Sequence, residues 1–286
     1  ATIEVTSTNV LTAPGSLRGE EGRTGAKIGN GTLMLTNATN GSTFTGHTTV
    51  SAGVLQVGSS GAGQSGSGTL TVHTATVSGT GVVTANSSTF TSVSTLTPGD
   101  GTAVTNHGTL TFTPVTGGGT QDLQGSIVLG INTATTTDAT YGGNAIGSAG
   151  YDAFVDAVTG VGTHARLVFT TAGNAVGYTV NFLSTTGTLS VQSDSFTPLI
   201  GQVFNLLDWG NLVTADFSGF NVGTNYRTGD GVGEGDLDLP DITSSGFFWD
   251  VSRFTSSGNI VVIPEPSRML LLLLGLFGIC LRRRRK

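Results

Sequence analysis

Residues 29–58 read GNGTLMLTNATNGSTFTGHTTVSAGVLQVG. Leu33 and Leu35, and again Leu55 and Val57, stand two residues apart. A period of two puts one set of strand side chains on one face, so these pairs mark half-buried strands. Gly31 and Gly53 precede the two runs and supply the turn into each. The stretch therefore predicts short strands joined by tight, Gly-rich turns.

The signature recurs along the chain. Gly-Thr-Leu-x-(Leu/Val/Phe) stands at Gly31–Leu35, Gly68–Val72, Gly108–Phe112 and Gly187–Val191, with start-to-start spacings of 37, 40 and 79. Looser copies lie at Gly53–Val57 and Gly81–Ala85. One such unit cannot bury its own apolar side. Repetition with no helical pattern between copies predicts a β-solenoid whose rungs cover one another.

Composition narrows the alternatives. The 45 glycines follow no three-residue period and there are only 7 prolines, which excludes a collagen-like rod. A hydrophobic share of 37% with 10% charged residues excludes a disordered chain. Residues 1–263 hold six Lys/Arg against 17 Asp/Glu, a balance of −11. Such an acidic body is unsuited to binding nucleic acid, which requires clustered cations. Cys280 is the only cysteine, so no intrachain disulfide forms. The chain opens Ala1-Thr2-Ile3, as cleavage of a signal peptide would leave it, and an exported protein is expected.

From about residue 140 aromatic and acidic residues become commoner. Ala165–Thr170, Gly177–Leu183, Gly187–Gln192, Gln202–Leu207 and Asn259–Ile263 read as strands. The domain reading is a solenoid region over 1–139, a β-rich region over 140–263 and a tail over 264–286. The middle region is either a continuation of the solenoid or a β-sandwich-like cap closing its end. The aromatics read as core residues of this region.

The tail runs Pro264-Glu265-Pro266-Ser267-Arg268, then the apolar MLLLLLGLFGICL over 269–281, then Arg282-Arg283-Arg284-Arg285-Lys286. An apolar run with no polar face predicts a single short transmembrane helix. The five terminal cations place its end on the cytoplasmic side. Thirteen residues make about 20 Å of helix against a hydrocarbon core of roughly 30 Å, which suits a transient anchor.

Pro264-Glu265-Pro266, the short apolar run and the Arg cluster resemble the PEP-CTERM sorting signal of Gram-negative bacteria. That resemblance implies export by the Sec route, recognition by exosortase (a membrane-embedded cysteine transpeptidase), transient residence in the inner membrane, and a host that makes exopolysaccharide. Residues 29–58 in turn resemble the autotransporter-associated β-strand repeat. The matching positions are Gly31, Thr32, Leu33, Asn37, Thr45, Gly46, Thr48, Thr49, Val50, Gly53, Leu55 and Val57. This resemblance implies a right-handed parallel β-helix on a bacterial surface. Together they give an all-β expectation: a β-helix body, a β-rich C-terminal region and one short C-terminal transmembrane helix.

Gly61-Ala62-Gly63-Gln64-Ser65-Gly66 has the spacing of a dinucleotide loop but leads into the strand pattern at Thr69, so it reads as a turn, and no cofactor is expected. His47, His73, His107 and His164 have no metal-ligand spacing and read as solvated. Asp230, Glu234, Asp236, Asp238 and Asp241 lie in GDGVGEGDLDLPD, a Gly-rich loop with the oxygen ligands Ca²⁺ uses, though outside the EF-hand pattern. A solvated acidic loop and a Ca²⁺ site are the two readings. The functional expectation is a non-enzymatic surface or matrix protein displayed near exopolysaccharide. The alternatives are a polysaccharide-binding adhesin and a polysaccharide-active β-helix enzyme, the latter disfavoured because acids before residue 140 are few and scattered.

Overall fold

In the computed structural model of the chain, parallel strands are wound into three ladders around one apolar interior. The structure describes residues 1–15, 18, 22–38, 44–59, 61, 63–100, 107–116, 118–132, 137–143, 145–171, 177–182, 187–194, 196–209, 213–229 and 236–265. The first ladder stacks Thr2–Glu4, Thr24–Ile28, the front of His47–Val57, the front of Thr69–Gly79, Ser87–Phe90, Thr120–Leu123, Tyr178–Asn181 and Val213–Asp216. The second stacks Val10–Ala13, Thr32–Leu35, the back halves of the same two long strands, Thr95–Pro98, Ser126–Asn132, Leu189–Asp194 and Leu237–Asp238. The third stacks Val82–Val83, Thr109–Phe112, Arg166–Phe169 and Leu207–Trp209. Every pairing in the three ladders is parallel, giving a β-helix-like body.

Register explains the core. Val50, Val72, Phe90 and Leu123 follow one another across the first ladder. Leu33, Leu55, Val77, Leu96, Ile127, Leu189 and Leu237 do so across the second. All are buried. A column of rings fills the interior: Phe112 stacks on Phe169 at 5.3 Å between centroids and Phe182 on Phe217 at 4.4 Å. Each of these side chains covers the one above it, so the apolar burial that drives folding is shared between rungs.

The repeat unit differs from the one the Gly-Thr-Leu spacing suggests. Leu33 pairs with Leu55 and Leu55 with Val77, two rungs of 22 residues, and the later steps of the same ladder, Val77 to Leu96, Leu96 to Ile127 and Ile127 to Leu189, take 19, 31 and 62, so no period of 37 or 40 sets the stacking. The Gly-Thr-Leu copies do not stack on one another: those at 31 and 187 enter the second ladder, the one at 68 the first and the one at 108 the third. The signature encodes a turn into a strand, a local geometry used on every face. At Gly53 (φ 69°) a Cβ would lie 2.5 Å from both the Gly31 carbonyl oxygen and Lys27 Nζ, so only glycine closes this turn.

Beyond residue 139 the chain does two things. Arg166–Phe169, Tyr178–Asn181, Leu189–Asp194, Leu207–Trp209, Val213–Asp216 and Leu237–Asp238 extend the parallel ladders. Interleaved with them, Ala139–Thr140, Gln202–Asn205, Asn259–Pro264, Phe247–Asp250 and Tyr226–Arg227 form, in that order, an antiparallel sheet. Phe204, Ile260, Val262 and Trp249 turn from this sheet into the solenoid core, while Val203, Val261 and Ile263 turn outward onto a helix. That helix, Ala149–Asp156, is absent from the sequence expectation. Its Tyr151 and Val155 lie on one face, and Ser148 Oγ accepts from the Tyr151 N–H at 3.3 Å as N-cap. Among the described residues no helix is long and apolar enough to cross a membrane. The expected transmembrane run at 269–281 lies outside the described residues.

Candidate functional site

The sorting motif begins where the antiparallel sheet ends. Asn259–Pro264 is the sheet's central strand, bonded to Gln202–Asn205 on one side and Phe247–Asp250 on the other. Residues Asn259 to Ile263 are buried, and Pro264 and Glu265 are half-buried. Pro264 pairs with Phe247 and brings no N–H to the ladder, so it suits the last position of a strand. The Glu265 N–H then donates to the Gly246 carbonyl at 3.3 Å. Pro266 and the cations Arg282, Arg283, Arg284, Arg285 and Lys286 lie outside the described residues. The geometry thus anchors the residues just before the tail in the middle of a sheet.

The acidic loop is seen in part. Asp230 and Glu234 lie outside the described residues. Asp236 Oδ2 accepts from the Asn221 N–H at 2.7 Å, and Asp238 Oδ2 from Ser190 Oγ at 3.3 Å. Asp241 Oδ1 accepts from the Thr243 N–H at 2.8 Å and from its hydroxyl at 2.7 Å. The Thr243 backbone bond holds the Asp241 carboxyl below its ordinary value. Each described carboxylate is therefore already engaged: Asp241 in a local turn, Asp238 across to the neighbouring strand and Asp236 with the Asn221 amide. No group of three or more His, Cys, Asp or Glu among the described residues is arranged to hold a metal.

Sequence reasoning missed a buried polar cluster. His164, expected in solvent, has no exposure; its Nε2 lies 2.6 Å from Asp138 Oδ2 and its Nδ1 3.0 Å from the Ala165 carbonyl. Asp138 Oδ1 accepts from the Val161 and Gly162 N–H groups at 2.7 and 2.6 Å and faces Arg166 Nη1 at 3.4 Å. Its Oδ2 also accepts from the Asn205 N–H at 2.6 Å. Burial alone would raise the Asp138 carboxyl. The His164 hydrogen bond and charge, with the Asn205 and Gly162 amides, outweigh burial and hold it below its ordinary value. Arg166 also donates to Thr109 Oγ1 at 3.0 Å. The cluster ties the antiparallel sheet to the third ladder. Nothing in the sequence signals it, because its members are brought together only by the fold.

Other buried polar groups serve the same kind of purpose. Tyr151 Oη donates to Asp250 Oδ2 at 2.5 Å, joining the helix to the sheet. Lys27, 2% exposed, donates to the carbonyls of Gly29 at 2.5 Å and Ala52 at 2.7 Å, stapling successive turns, and its burial lowers the ammonium pKa. Arg227, fully buried, donates to the carbonyls of Val222 and Leu237. The glycine run at 61–66 leads into strand Thr69–Gly79, not into a helix.

Two stretches match known family models. Residues 26–57 match the passenger-associated-transport-repeat and residues 262–285 match the PEP-CTERM protein-sorting motif. No curated protein and no solved structure matches the chain. The two matches fall on the residues whose motifs carried the resemblances, and they mark an exported surface protein sorted through a C-terminal signal.

Proposed function

We propose that the chain is a non-catalytic structural protein of the bacterial cell surface or extracellular matrix. Its tail is handed to an exosortase-type membrane transpeptidase. A single short helix over 269–281 holds it in the inner membrane until that step, with the body outside and Arg282–Lys286 inside, after which it is displayed beside exopolysaccharide. The body is a right-handed β-helix, the hand that parallel crossovers strongly favour. Residues 1–139, 140–263 and 264–286 act as repeat body, closing region and sorting tail.

The junction at Pro264 carries this reading. A buried central strand runs without a spacer into the residues that match the sorting motif, so force or cleavage at the tail meets a sheet bonded on both sides. The buried charges fit a structural role too, since Asp138, Lys27 and Arg227 are each bound to backbone groups. Deleting residues 264–286 in the native host is expected to abolish surface display and tail processing. Unchanged location and processing would contradict the reading.

A second reading, a glycan-binding adhesin, is favoured by one observation. Thr49, Thr71, Thr89, Asp122, Asn181 and Asp216 lie in register along the outer face of the first ladder. Neighbouring strands are about 4.8 Å apart, so this row presents hydroxyls, a carboxamide and carboxylates at that regular interval, with Asn181 Nδ2 donating to Asp122 Oδ1 at 2.6 Å within it. Specific binding on a glycan array, with and without Ca²⁺, would favour it over a passive scaffold.

A further inference from the structure

Among the described residues, the large apolar side chains left in solvent stand singly except at two places, Val10–Leu11 and Leu199–Ile200. The first is explained by position: Val10–Ala13 is the terminal strand of the second ladder, with no described strand stacked beyond it. The second is not at a ladder end. Leu199 is 61% and Ile200 57% exposed, yet the turn that carries them is firmly held. The Gln202 N–H donates to the Leu199 carbonyl at 3.3 Å, and the Leu199 N–H donates to Gln202 Oε1 at 2.8 Å. Pro198 beside them is buried.

The turn stands where the chain leaves the sheet. The Gly201 N–H donates to the Val262 carbonyl at 2.8 Å, and the Gly201 carbonyl accepts from the Tyr141 N–H at 2.6 Å. Val262 is two residues from Pro264, the last residue of the strand. Half-buried Tyr141, Phe247 and Phe248 lie at the same end. Only Pro266, Ser267 and Arg268 then separate Glu265 from Met269, the first apolar residue of the tail. Four Cα steps of 3.8 Å reach about 15 Å at most.

From this geometry we infer that Leu199 and Ile200 form a membrane-contact tip of the body, seated in the headgroup layer of the bilayer that the tail enters. The inference rests on the proposed reading that residues 269–281 insert. An apolar run about 10 Å shorter than the hydrocarbon core thins the bilayer and draws its flanks inward. The flank within reach here is this sheet end. Two aliphatic side chains at its rim lose water contact by entering the interface, and half-buried aromatics behind them suit the headgroup depth. The tip thus adds apolar surface at the depth where the short helix runs out.

The test uses full-length protein with Cys280→Ser, carrying one new cysteine as Ile200→Cys, Val93→Cys or Leu272→Cys. Each is labelled with an environment-sensitive fluorophore and reconstituted into phosphatidylethanolamine–phosphatidylglycerol vesicles that contain nitroxide lipids. Val93 is an exposed control, 63% accessible. The proposal expects the probe at 200 to shift to the blue and be quenched by headgroup-depth nitroxide, that at 272 by mid-chain nitroxide, and that at 93 to stay aqueous. Adding Leu199→Asp is expected to at least halve the quenching at 200 without changing that at 272. Quenching at 272 with 200 as aqueous as 93 overturns the tip and leaves the tail reading intact. Equal quenching at 93 and 200 also overturns the tip. No quenching at 272 overturns both.

Discussion

Asp138 Oδ2 lies 2.6 Å from His164 Nε2, and neither side chain has any solvent exposure. Five donors converge on that one carboxylate: His164, Arg166 and the amides of Val161, Gly162 and Asn205. A buried charge is tolerated only when compensated in this way. The bond therefore fixes how the antiparallel sheet seats against the solenoid.

Removing the carboxylate should cost more than its few bonds suggest. Asp138→Ala strands His164 and Arg166 in the interior, and is expected to lower stability by about 3–5 kcal/mol in urea titrations at neutral pH. The pH dependence has a definite sign. The folded carboxyl is held below its ordinary value, so the unfolded chain takes up the proton more readily and acid favours unfolding. This stabilisation is full above the ordinary aspartate value of about 3.9 and is lost as pH falls below it. The gap between wild type and Asp138→Ala should narrow there. A gap that is unchanged or widens on acidification would contradict the assignment.

The rung length predicts which deletions the fold survives. Gly53 pairs with Ala75 and Val54 with Thr76. Deleting residues 54–75 joins Gly53 to Thr76 in the same register and removes one rung. That variant should keep a β-type circular dichroism spectrum and a single cooperative melt. Deleting 37 residues from the same point, 54–90, joins Gly53 to Thr91, four residues short of Thr95, the partner of Thr76, and should lose both. The reverse result would restore the longer period as the structural unit.

Tyr151 should resist ionisation. Burial, then the nearby Asp250 carboxylate, pushes its phenol well above the ordinary value. Because the folded value is raised, the stabilisation is present below the ordinary tyrosine pKa of about 10 and is lost as pH rises above it. Phenolate absorbance should show two groups, Tyr151 and the buried Tyr178, titrating only as the protein unfolds. Tyr151→Phe should leave Tyr178 as the one late group and cost about 1–3 kcal/mol at neutral pH, because Asp250 loses a donor in a buried place. Early titration of all four tyrosines would contradict the buried pairing.

Much of the ladder architecture is legible in the sequence, and the reasons are local. Leu33, Leu35, Leu55 and Val57 alternate with outward neighbours, and a period of two needs no knowledge of the rest of the chain. Gly53 marks its own turn. Which strand stacks on which is not local. The same Gly-Thr-Leu signature serves all three ladders, so counting from copy to copy gives 37 and 40 where the register gives 22 in the first rungs and unequal steps after them. The helix at Ala149–Asp156 did leave a trace: Tyr151, Phe154, Val155 and Val158 follow helical spacing. The Thr- and Gly-rich surroundings hid it. The buried Asp138–His164 pair left none, since 26 residues separate its members and each is unremarkable alone. Of the sorting motif, residue types alone located Pro264 and Glu265. That they close a buried central strand required the sheet.

The central claim is that the chain is exported and its tail is read by a membrane transpeptidase at the end of that strand. Intact-mass analysis of the protein recovered from its native host tests it most directly. The account predicts a surface or extracellular species that lacks the apolar run and the terminal cations, and retains the strand through Pro264. A full-length, unmodified chain recovered from the cytosol would contradict it.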